Sequence, residues 1–262
     1  MVRFFAQPFD ISESTIRLSA EDCDHIRSLR LRPNESFIVC DGNGVEYICA
    51  LDERQTSDTA SPGIGSIARI IERKESDAEP TIKCTVYIAY SKGERLDYAV
   101  QKSVELGAYK IITYNSKRCV AAPKNIPKKI ERLQRIALET AKQSGRGIIP
   151  EVSPIGEFHE AVDAAAKHSD LAILCYENER NLRLNTVLEE FFTRLSTTDG
   201  KSNDKRGSIA LITGPEGGFE HTEIKQAQSS NIAIVSLGPR ILRSETAPAA
   251  ALAAIMYHTG DL

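Results

Sequence analysis

The sequence lacks the features that mark a membrane protein or a secreted protein. Among its 262 residues, no apolar run approaches the roughly 20 residues that a membrane-spanning helix needs. The N-terminal residues, MVRFFAQPFD, contain no apolar segment typical of a secretory signal. We therefore expect a cytoplasmic protein.

The six cysteines are scattered, and no C-x-x-C pair is present, which argues against a disulfide framework and against a zinc site. Isolated cysteines of this kind are expected to be reduced and mostly buried. They are Cys23, Cys40, Cys49, Cys84, Cys119 and Cys175.

Several common catalytic motifs are also missing. The five histidines have no metal-like spacing, so we expect no metal site, and there is neither a P-loop nor a G-x-S-x-G nucleophile elbow. Residues 63–68 match G-x-G-x-x-A, but a polar segment rather than a strand precedes them, so a Rossmann fingerprint is not supported.

Acidic residues slightly outnumber basic residues in the whole chain, but the basic residues are concentrated in one segment. Between Lys92 and Arg146 there are 13 basic and 5 acidic residues, a local balance of +8. Since the whole chain has a net charge of −3, the remainder carries −11. A basic segment in an acidic chain is typical of a nucleic-acid-binding face, although a set of solvated helix faces would produce the same pattern.

Two different patterns divide the chain. Residues 1–72 are rich in strand-forming segments, and two of them flank Asp41-Gly42-Asn43-Gly44, a strong hairpin signal. With one helix over residues 20–31, this part predicts a small β-barrel. The polar residues 73–80 are predicted to be a linker. Residues 81–262 alternate strands and helices, which predicts an α/β fold with a parallel sheet covered on both faces.

Local signals place several helix ends in the second part. Ser91 with Glu94 fits a capping box, and Thr222 fits the cap of a later helix. A helix bounded by Pro127 and Gly145 has apolar residues on one face and a stripe of cations on another. We define this α3 stripe as Lys128, Arg132, Arg135 and Lys142.

Two glycine-rich loops follow predicted strands, at the edge of the sheet where α/β proteins bind ligands. The first is Gly214-Pro215-Glu216-Gly217-Gly218, and the second begins at Gly238-Pro239-Arg240. In the second loop, Ile241 and Leu242 could wall an apolar pocket or could join the core. Ser244 or Thr246 could cap the last helix, which is predicted over residues 248–258.

These loops carry a family resemblance. Residues 211–219 (LITGPEGGF) and 237–247 (LGPRILRSETA) resemble the signature of the RsmE family, the uridine-N3 methyltransferases of small-subunit ribosomal RNA. Residues 92–97 (KGERLD), 101–107 (QKSVELG) and 143–146 (QSGR), with Arg3-Phe4-Phe5, are similar to further family blocks. The resemblance spans essentially the whole chain.

The resemblance implies a PUA-like β-barrel over residues 1–72, which binds RNA, and a SPOUT methyltransferase domain with a C-terminal trefoil knot over residues 81–262. It also implies S-adenosylmethionine as cofactor, a homodimer, and a uridine near the decoding centre as substrate. The partner is then small-subunit ribosomal RNA, either free or in the assembled 30S subunit.

The resemblance also implies which residues bind the cofactor. They are Cys175, Tyr176, Glu177, Thr213, Gly214, Pro215, Glu216, Gly217, Gly218, Leu237, Gly238, Ile241, Leu242, Arg243, Thr246 and Ala247. For catalysis, Arg243 would stabilise negative charge on the uracil, and Glu216 or Glu245 would accept the N3 proton. The candidate RNA contacts are the α3 stripe with Arg3, Lys92, Lys102 and Arg146.

Two alternative functions remain open at this point. A non-catalytic factor that binds ribosomal RNA during subunit assembly would explain the basic segment, but not the two glycine-rich loops. A SPOUT methyltransferase that acts on tRNA would share the fold, but not the upstream blocks.

Overall fold

The computed structural model describes residues 1–32, 35–51, 66–120, 123–198 and 207–262. The chain divides into two compact units. The first unit contains residues 1–79 and 141–149, and the second contains residues 80–140 and 150–262. The first unit is therefore discontinuous in sequence, which no local pattern predicts, because the grouping depends on contacts between distant parts of the chain.

The first unit is built around a five-stranded sheet. Its strands are β1 (Arg3–Phe5), β2 (Thr15–Arg17), β3 (Ser36–Cys40), β4 (Val45–Leu51) and β5 (Ile67–Glu75), and its helix is α1 (Ala20–Ser28). The sheet order is β1-β3-β4-β5-β2, with β1 and β3 parallel and the other neighbours antiparallel. Phe4, Ile16 and Phe37 lie fully buried in its core.

The predicted hairpin is confirmed. Strands β3 and β4 pair in register from Ser36↔Ala50 to Cys40↔Glu46. In the turn, the Asp41 carboxylate accepts hydrogen bonds from the backbone N–H groups of Asn43 and Val45. Gly42 has φ +76, a left-handed conformation that glycine adopts without steric cost.

The predicted linker is partly wrong, because strand β5 continues through Glu75. Residues 73–75 pair with residues 45–47 of β4. The polar pattern was misleading because β2 covers only residues 67–69 of β5, so the rest of β5 has one neighbouring strand and exposed side chains. Lys74 forms an ion pair with Glu46, and Arg73 lies over the Tyr47 ring.

The second unit contains a six-stranded, entirely parallel sheet with the order β11-β9-β10-β6-β7-β8. Its strands are β6 (Lys83–Ala89), β7 (Lys110–Asn115), β8 (Glu151–Glu157), β9 (Leu171–Cys175), β10 (Ser208–Thr213) and β11 (Ala233–Val235). The helices that follow α1 along the chain are α2 (Arg95–Glu105), α3 (Ile126–Ser144), α4 (Phe158–His168), α5 (Leu184–Thr198), α6 (His221–Ser229) and α7 (Thr246–Thr259).

Both faces of this sheet are covered, as predicted. In β10, Ala210 and Ile212 join an apolar cluster that includes residues of α4 and α6. Ile209 and Leu211, which point to the opposite face, are also buried. A parallel strand that is buried on both faces has a nearly continuous apolar sequence, and residues 209–212 have that sequence.

Two predicted helix caps are wrong. Helix α2 begins at Arg95, with Glu94 at the N-cap and no side-chain cap, so Ser91 and Glu94 form no capping box. Helix α6 begins at His221, and Glu220 with Glu223 forms its capping box instead of Thr222. A carboxylate accepts the same backbone hydrogen bonds as a hydroxyl group, so the local sequence allowed more than one start.

In the part of the chain that the structure describes, no helix is long and apolar enough to cross a membrane. The same residues contain no cluster of His, Cys, Asp and Glu side chains that could hold a metal ion. Five of the six cysteines are buried and Cys119 is half-buried, without a disulfide.

Candidate active site

The site lies at the carboxyl edge of the parallel sheet in the second unit. Strands β11, β9 and β10 are neighbours, so the segments that follow them meet around one cavity of about 410 Å³. The residues that line it are Arg95, Cys175, Tyr176, Glu177, residues 214–219, Ser236, Leu237, Gly238, residues 240–245 and Ala247.

All but two of the residues predicted to bind a cofactor line this cavity. The exceptions are Thr213 and Thr246. Thr213 is fully buried, and its hydroxyl group donates to the Tyr87 carbonyl oxygen at 3.3 Å. Thr246 is the exposed first residue of α7. Each is next in sequence to a residue that lines the cavity. The sequence pattern therefore predicted correctly which loops form the cavity, but not which of their side chains face it.

Five lining residues were predicted neither to bind the cofactor nor to take part in catalysis. Phe219, Ser236, Arg240 and Ser244 lie within or beside the two glycine-rich loops. Arg95 comes from the start of α2, more than a hundred residues earlier in the chain. It belongs to the KGERLD block, which is the only sequence signal that could have pointed to it.

The glycines of the first loop are required by neighbouring protein atoms. A Cβ atom on Gly214 would lie 2.9 Å from the Phe219 ring, and one on Gly217 would lie 2.9 Å from the Arg118 carbonyl oxygen. Gly218 has φ +67, and a Cβ atom there would collide with the Glu177 carboxylate. These glycines are therefore also needed for packing within the protein.

The second loop is more open. A Cβ atom on Gly238 would meet nothing within 4 Å, although its φ of +118 still favours glycine. Ile241 is 76% exposed and lines the cavity, so it does not join the core. Glu245 occupies the N-cap of α7 without a side-chain cap, so neither Ser244 nor Thr246 caps this helix.

Backbone hydrogen bonds tie the loop after β9 to the end of β11. Tyr176 N–H donates to the Val235 carbonyl oxygen at 2.9 Å, and Ser236 N–H donates to the Leu182 carbonyl oxygen at 2.8 Å. Leu184 N–H donates back to Ser236 at 3.3 Å. These contacts hold two distant segments together, while the trefoil knot stays a prediction.

Charged side chains of both signs converge on the cavity. Arg95 Nη1 donates to Glu216 Oε1 at 3.1 Å, and the Lys92 backbone N–H donates to the same oxygen at 2.7 Å. Arg95 Nε lies 3.9 Å from Glu245 Oε2, which is 3.2 Å from the Ser244 hydroxyl group. Glu216 Oε2 is buried and has no hydrogen-bond partner among the described residues.

Arg243 and Cys175 also line the cavity. The Arg243 side chain is exposed and makes no ion pair within the described ranges, so its guanidinium is available to a ligand. Burial raises the pKa of the Cys175 thiol to about 12. Cys175 therefore stays protonated at neutral pH and contributes a small apolar wall, not a nucleophile.

Two of the predicted RNA contacts belong to the first unit, where Arg146 is buried and Arg3 is half-buried. Arg3 Nη1 donates to Glu46 Oε1 at 2.6 Å, and Arg146 Nη2 donates to Glu79 Oε2 at 2.6 Å. Burial alone would raise the pKa of Glu46, but hydrogen bonds from Arg3 and Ser76 outweigh it and hold that pKa below its ordinary value. Both arginines serve the structure of this unit, so their assignment as RNA contacts is corrected.

The remaining predicted RNA contacts differ in their surroundings. Arg132 Nη2 lies 2.5 Å from Asp97 Oδ2, although its side chain is 59% exposed. Lys102 pairs with Glu105 at 2.7 Å, and Lys142 Nζ lies 3.8 Å from Asp22. Among the predicted RNA contacts, those that are exposed and form no ion pair within the described residues are Lys92, Lys128 and Arg135.

Comparisons with known proteins agree with this architecture. Residues 78–256 match the model of an RNA methyltransferase domain, and residues 18–55 match that of an RNA methyltransferase PUA domain. The ribosomal RNA small subunit methyltransferase E of Bacillus subtilis is 30% identical over 94% of this chain and 91% of its own length. The protein of the same name from Synechocystis is 32% identical over 97% of this chain and 76% of its own length.

A solved structure is also similar over nearly the whole chain. The crystal structure of ribosomal RNA small subunit methyltransferase E from Neisseria gonorrhoeae, bound to S-adenosyl methionine, has a TM-score of 0.78 and 31% identity. The match covers 98% of this chain and 97% of that one. The predicted fold class, a PUA-like unit before a SPOUT-type parallel-sheet domain, is confirmed. The chain therefore belongs to the RNA methyltransferase family that includes the ribosomal RNA small subunit methyltransferases E.

Proposed function

We propose that this protein transfers a methyl group from S-adenosylmethionine to N3 of a uridine in small-subunit ribosomal RNA. The observation that carries the proposal is the single cavity formed by the loops after β9, β10 and β11. It occurs in a chain that belongs to the RNA methyltransferase family. A related protein of the same fold binds S-adenosyl methionine.

The cavity fits a nucleoside-sized cofactor. Its volume of about 410 Å³ lies within the range of small-molecule sites. Leu237, Ile241 and Leu242 supply apolar surface for a flat ring, and the backbone of both glycine-rich loops supplies hydrogen-bonding groups. When bound, S-adenosylmethionine supplies a methyl group on a positively charged sulfur.

The chain supplies the groups that make N3 of uracil reactive. N3 is a weak nucleophile until its proton leaves, and negative charge then spreads to the two flanking carbonyl oxygens. Arg243, at the cavity and without an ion pair in the described part of the chain, can stabilise that charge. Glu216 and Glu245 both line the cavity and are the candidate proton acceptors.

The RNA is proposed to contact exposed cations near this edge of the sheet and on α3. Lys92 and Arg118 adjoin the first glycine-rich loop, since Lys92 N–H bonds to Glu216 and Arg118 Nη1 donates to the Gly217 carbonyl oxygen at 3.3 Å. Lys128 and Arg135 extend the positive surface along α3. The proposal also includes a homodimer, and its substrate is ribosomal RNA that is either free or part of the assembled 30S subunit.

A direct test compares ribosomal RNA from cells with and without this protein. We expect mass spectrometry of RNA digests to find one methyluridine that is absent from the deficient cells. Purified protein with S-adenosylmethionine should restore it in vitro. Calorimetry with S-adenosylmethionine separates this function from that of a non-catalytic assembly factor, which would bind RNA but not the cofactor. Methylation of tRNA in place of ribosomal RNA would support the other SPOUT activity.

A further inference from the structure

We infer that Arg95 is a positioning residue that separates the roles of the two carboxylates at the cavity, leaving Glu245 as the proton acceptor and Glu216 as an anchor. The inference rests on the proposed methyl transfer to N3. Arg95 is the first residue of α2, and it touches acidic residues from two different loops. Glu216 follows β10, whereas Glu245 follows β11.

Glu216 is fixed in place by α2. One of its oxygens accepts hydrogen bonds from the Lys92 backbone N–H at 2.7 Å and from Arg95 Nη1 at 3.1 Å. These donors lie at the start of a helix, where the helix dipole also favours a negative charge. The other oxygen of Glu216, Oε2, is buried and has no hydrogen-bond partner within the described residues, so a substrate does not reach it in this structure. Glu216 therefore holds the first glycine-rich loop against α2.

Glu245 is held more loosely. Its Oε2 lies 3.9 Å from Arg95 Nε, beyond hydrogen-bond distance, and 3.2 Å from the Ser244 hydroxyl group. No backbone N–H is bonded to this carboxylate among the described residues. The Arg95 guanidinium lies beside Glu245 without bonding to it, and the Ser244 hydroxyl group donates only to Oε2. Glu245 Oε1 accepts no hydrogen bond within the described residues, so it can accept the N–H of a substrate.

The chemical step then balances within the site. The N3–H proton of uracil passes to a Glu245 carboxylate oxygen. N3 uses the electron pair released from the N–H bond to form a bond to the methyl carbon. The carbon–sulfur bonding pair returns to sulfur, which becomes neutral. The proton leaves Glu245 for water before the next turnover.

Single-turnover methylation of deficient ribosomal RNA, measured across pH, tests this assignment. Glu245→Gln should reduce the rate by about 100-fold or more, within the range for loss of a general base. Glu216→Gln should retain more activity than Glu245→Gln, and its thermal unfolding midpoint should fall because the anchor is weakened. The reverse ranking of the two rates would overturn the inference.

Arg95 itself is tested by the single-turnover rate at saturating S-adenosylmethionine. Arg95→Ala should lower that rate, because Glu245 loses the neighbouring side chain that positions it. Arg95→Lys should restore part of the rate, because a lysine keeps the charge but not the planar guanidinium. Lys225→Ala, which removes an exposed cation of α6, is the matched control and should leave the rate unchanged.

Calorimetry provides the readout that is independent of turnover. S-adenosylmethionine affinity of Arg95→Ala should stay within a few-fold of the wild-type value. If cofactor binding is lost while the rate at saturating cofactor stays unchanged, Arg95 is a cofactor ligand, and the inference is wrong. A wild-type protein that methylates no ribosomal RNA would instead contradict the proposed function, so the two failures are distinguishable.

Discussion

The cavity loops and the α3 stripe were both selected from sequence, but the structure treats them differently. The two glycine-rich loops converge on one cavity with nearly all of their predicted residues. Of the four stripe cations, Arg132 forms an ion pair with Asp97, and Lys142 lies beside Asp22. The position of a loop follows from the strand before it, whereas the availability of a charged side chain depends on its partners in the folded protein.

The difference has a physical cause. Parallel strands place all their carboxyl ends at one edge, so the loops after β10 and β11 had to meet the loop after β9. A long cationic side chain can reach several partners from one backbone position. The face of a helix on which a cationic residue lies therefore does not show whether an acidic partner already pairs with its charge.

We expect the strongest loss of cofactor binding from a substitution in the tightly packed first glycine-rich loop. Gly217→Val should abolish detectable S-adenosylmethionine binding, because the new side chain would displace the Arg118 backbone that lies against Gly217. Overpacking of this kind costs about 1–3 kcal/mol, so the thermal midpoint should also fall. Calorimetry and thermal unfolding measure the two effects. Ala78→Val, at an exposed position of the first unit, is the control. Unchanged affinity in a folded Gly217→Val protein would place the cofactor elsewhere.

The second prediction separates chemistry from binding at the open loop. Arg243→Ala should reduce turnover by about 100-fold, a typical loss when a charge-stabilising donor is removed. S-adenosylmethionine affinity should change little, because the exposed guanidinium is proposed to face the uracil. The measurements are single-turnover rates and calorimetry, with Lys167→Ala on α4 as a control. A rate within a few-fold of wild type would show that Arg243 has no role in the chemical step.

Substitutions in the α3 stripe should have a smaller effect, on the salt dependence of RNA binding. Lys128→Ala with Arg135→Ala should make the salt dependence of RNA binding shallower by about one log-log unit or slightly more, since each single-strand phosphate contact contributes roughly 0.7. Arg132→Ala should change the slope less, because Asp97 already pairs with that charge. RNA-fragment binding at several salt concentrations measures the slopes.

The matched control for the stripe is Lys167→Ala with Lys225→Ala, which removes two exposed cations from α4 and α6. Parallel salt plots for the stripe variant and wild type would show that the stripe does not touch RNA. A shift from dimer to monomer in the stripe variant would assign the stripe to a subunit interface instead.

Much of the fold was predictable because it depends on local periodicity. The β3–β4 hairpin follows from glycines in a turn, and β10 follows from an apolar run that is buried on both faces. Helix starts were less predictable, because Glu216 accepts a hydrogen bond from the Lys92 backbone N–H just before α2, and Glu220 with Glu223 caps α6 in place of Thr222. The first of these partners lies far away in sequence.

The family, the alternation of strands and helices, and the two loops that form the cavity follow from residue order, because they depend on local pattern and backbone geometry. Folding in three dimensions brings Arg95 to the cavity, buries Arg146 in its ion pair with Glu79, and half-buries Arg3 against Glu46. It also places the Arg118 backbone against Gly217. The hydrogen-bonded pairs Arg3–Glu46 and Arg95–Glu216 are 43 and 121 positions apart. The energies of such contacts depend on distance in space, which residue order alone does not specify.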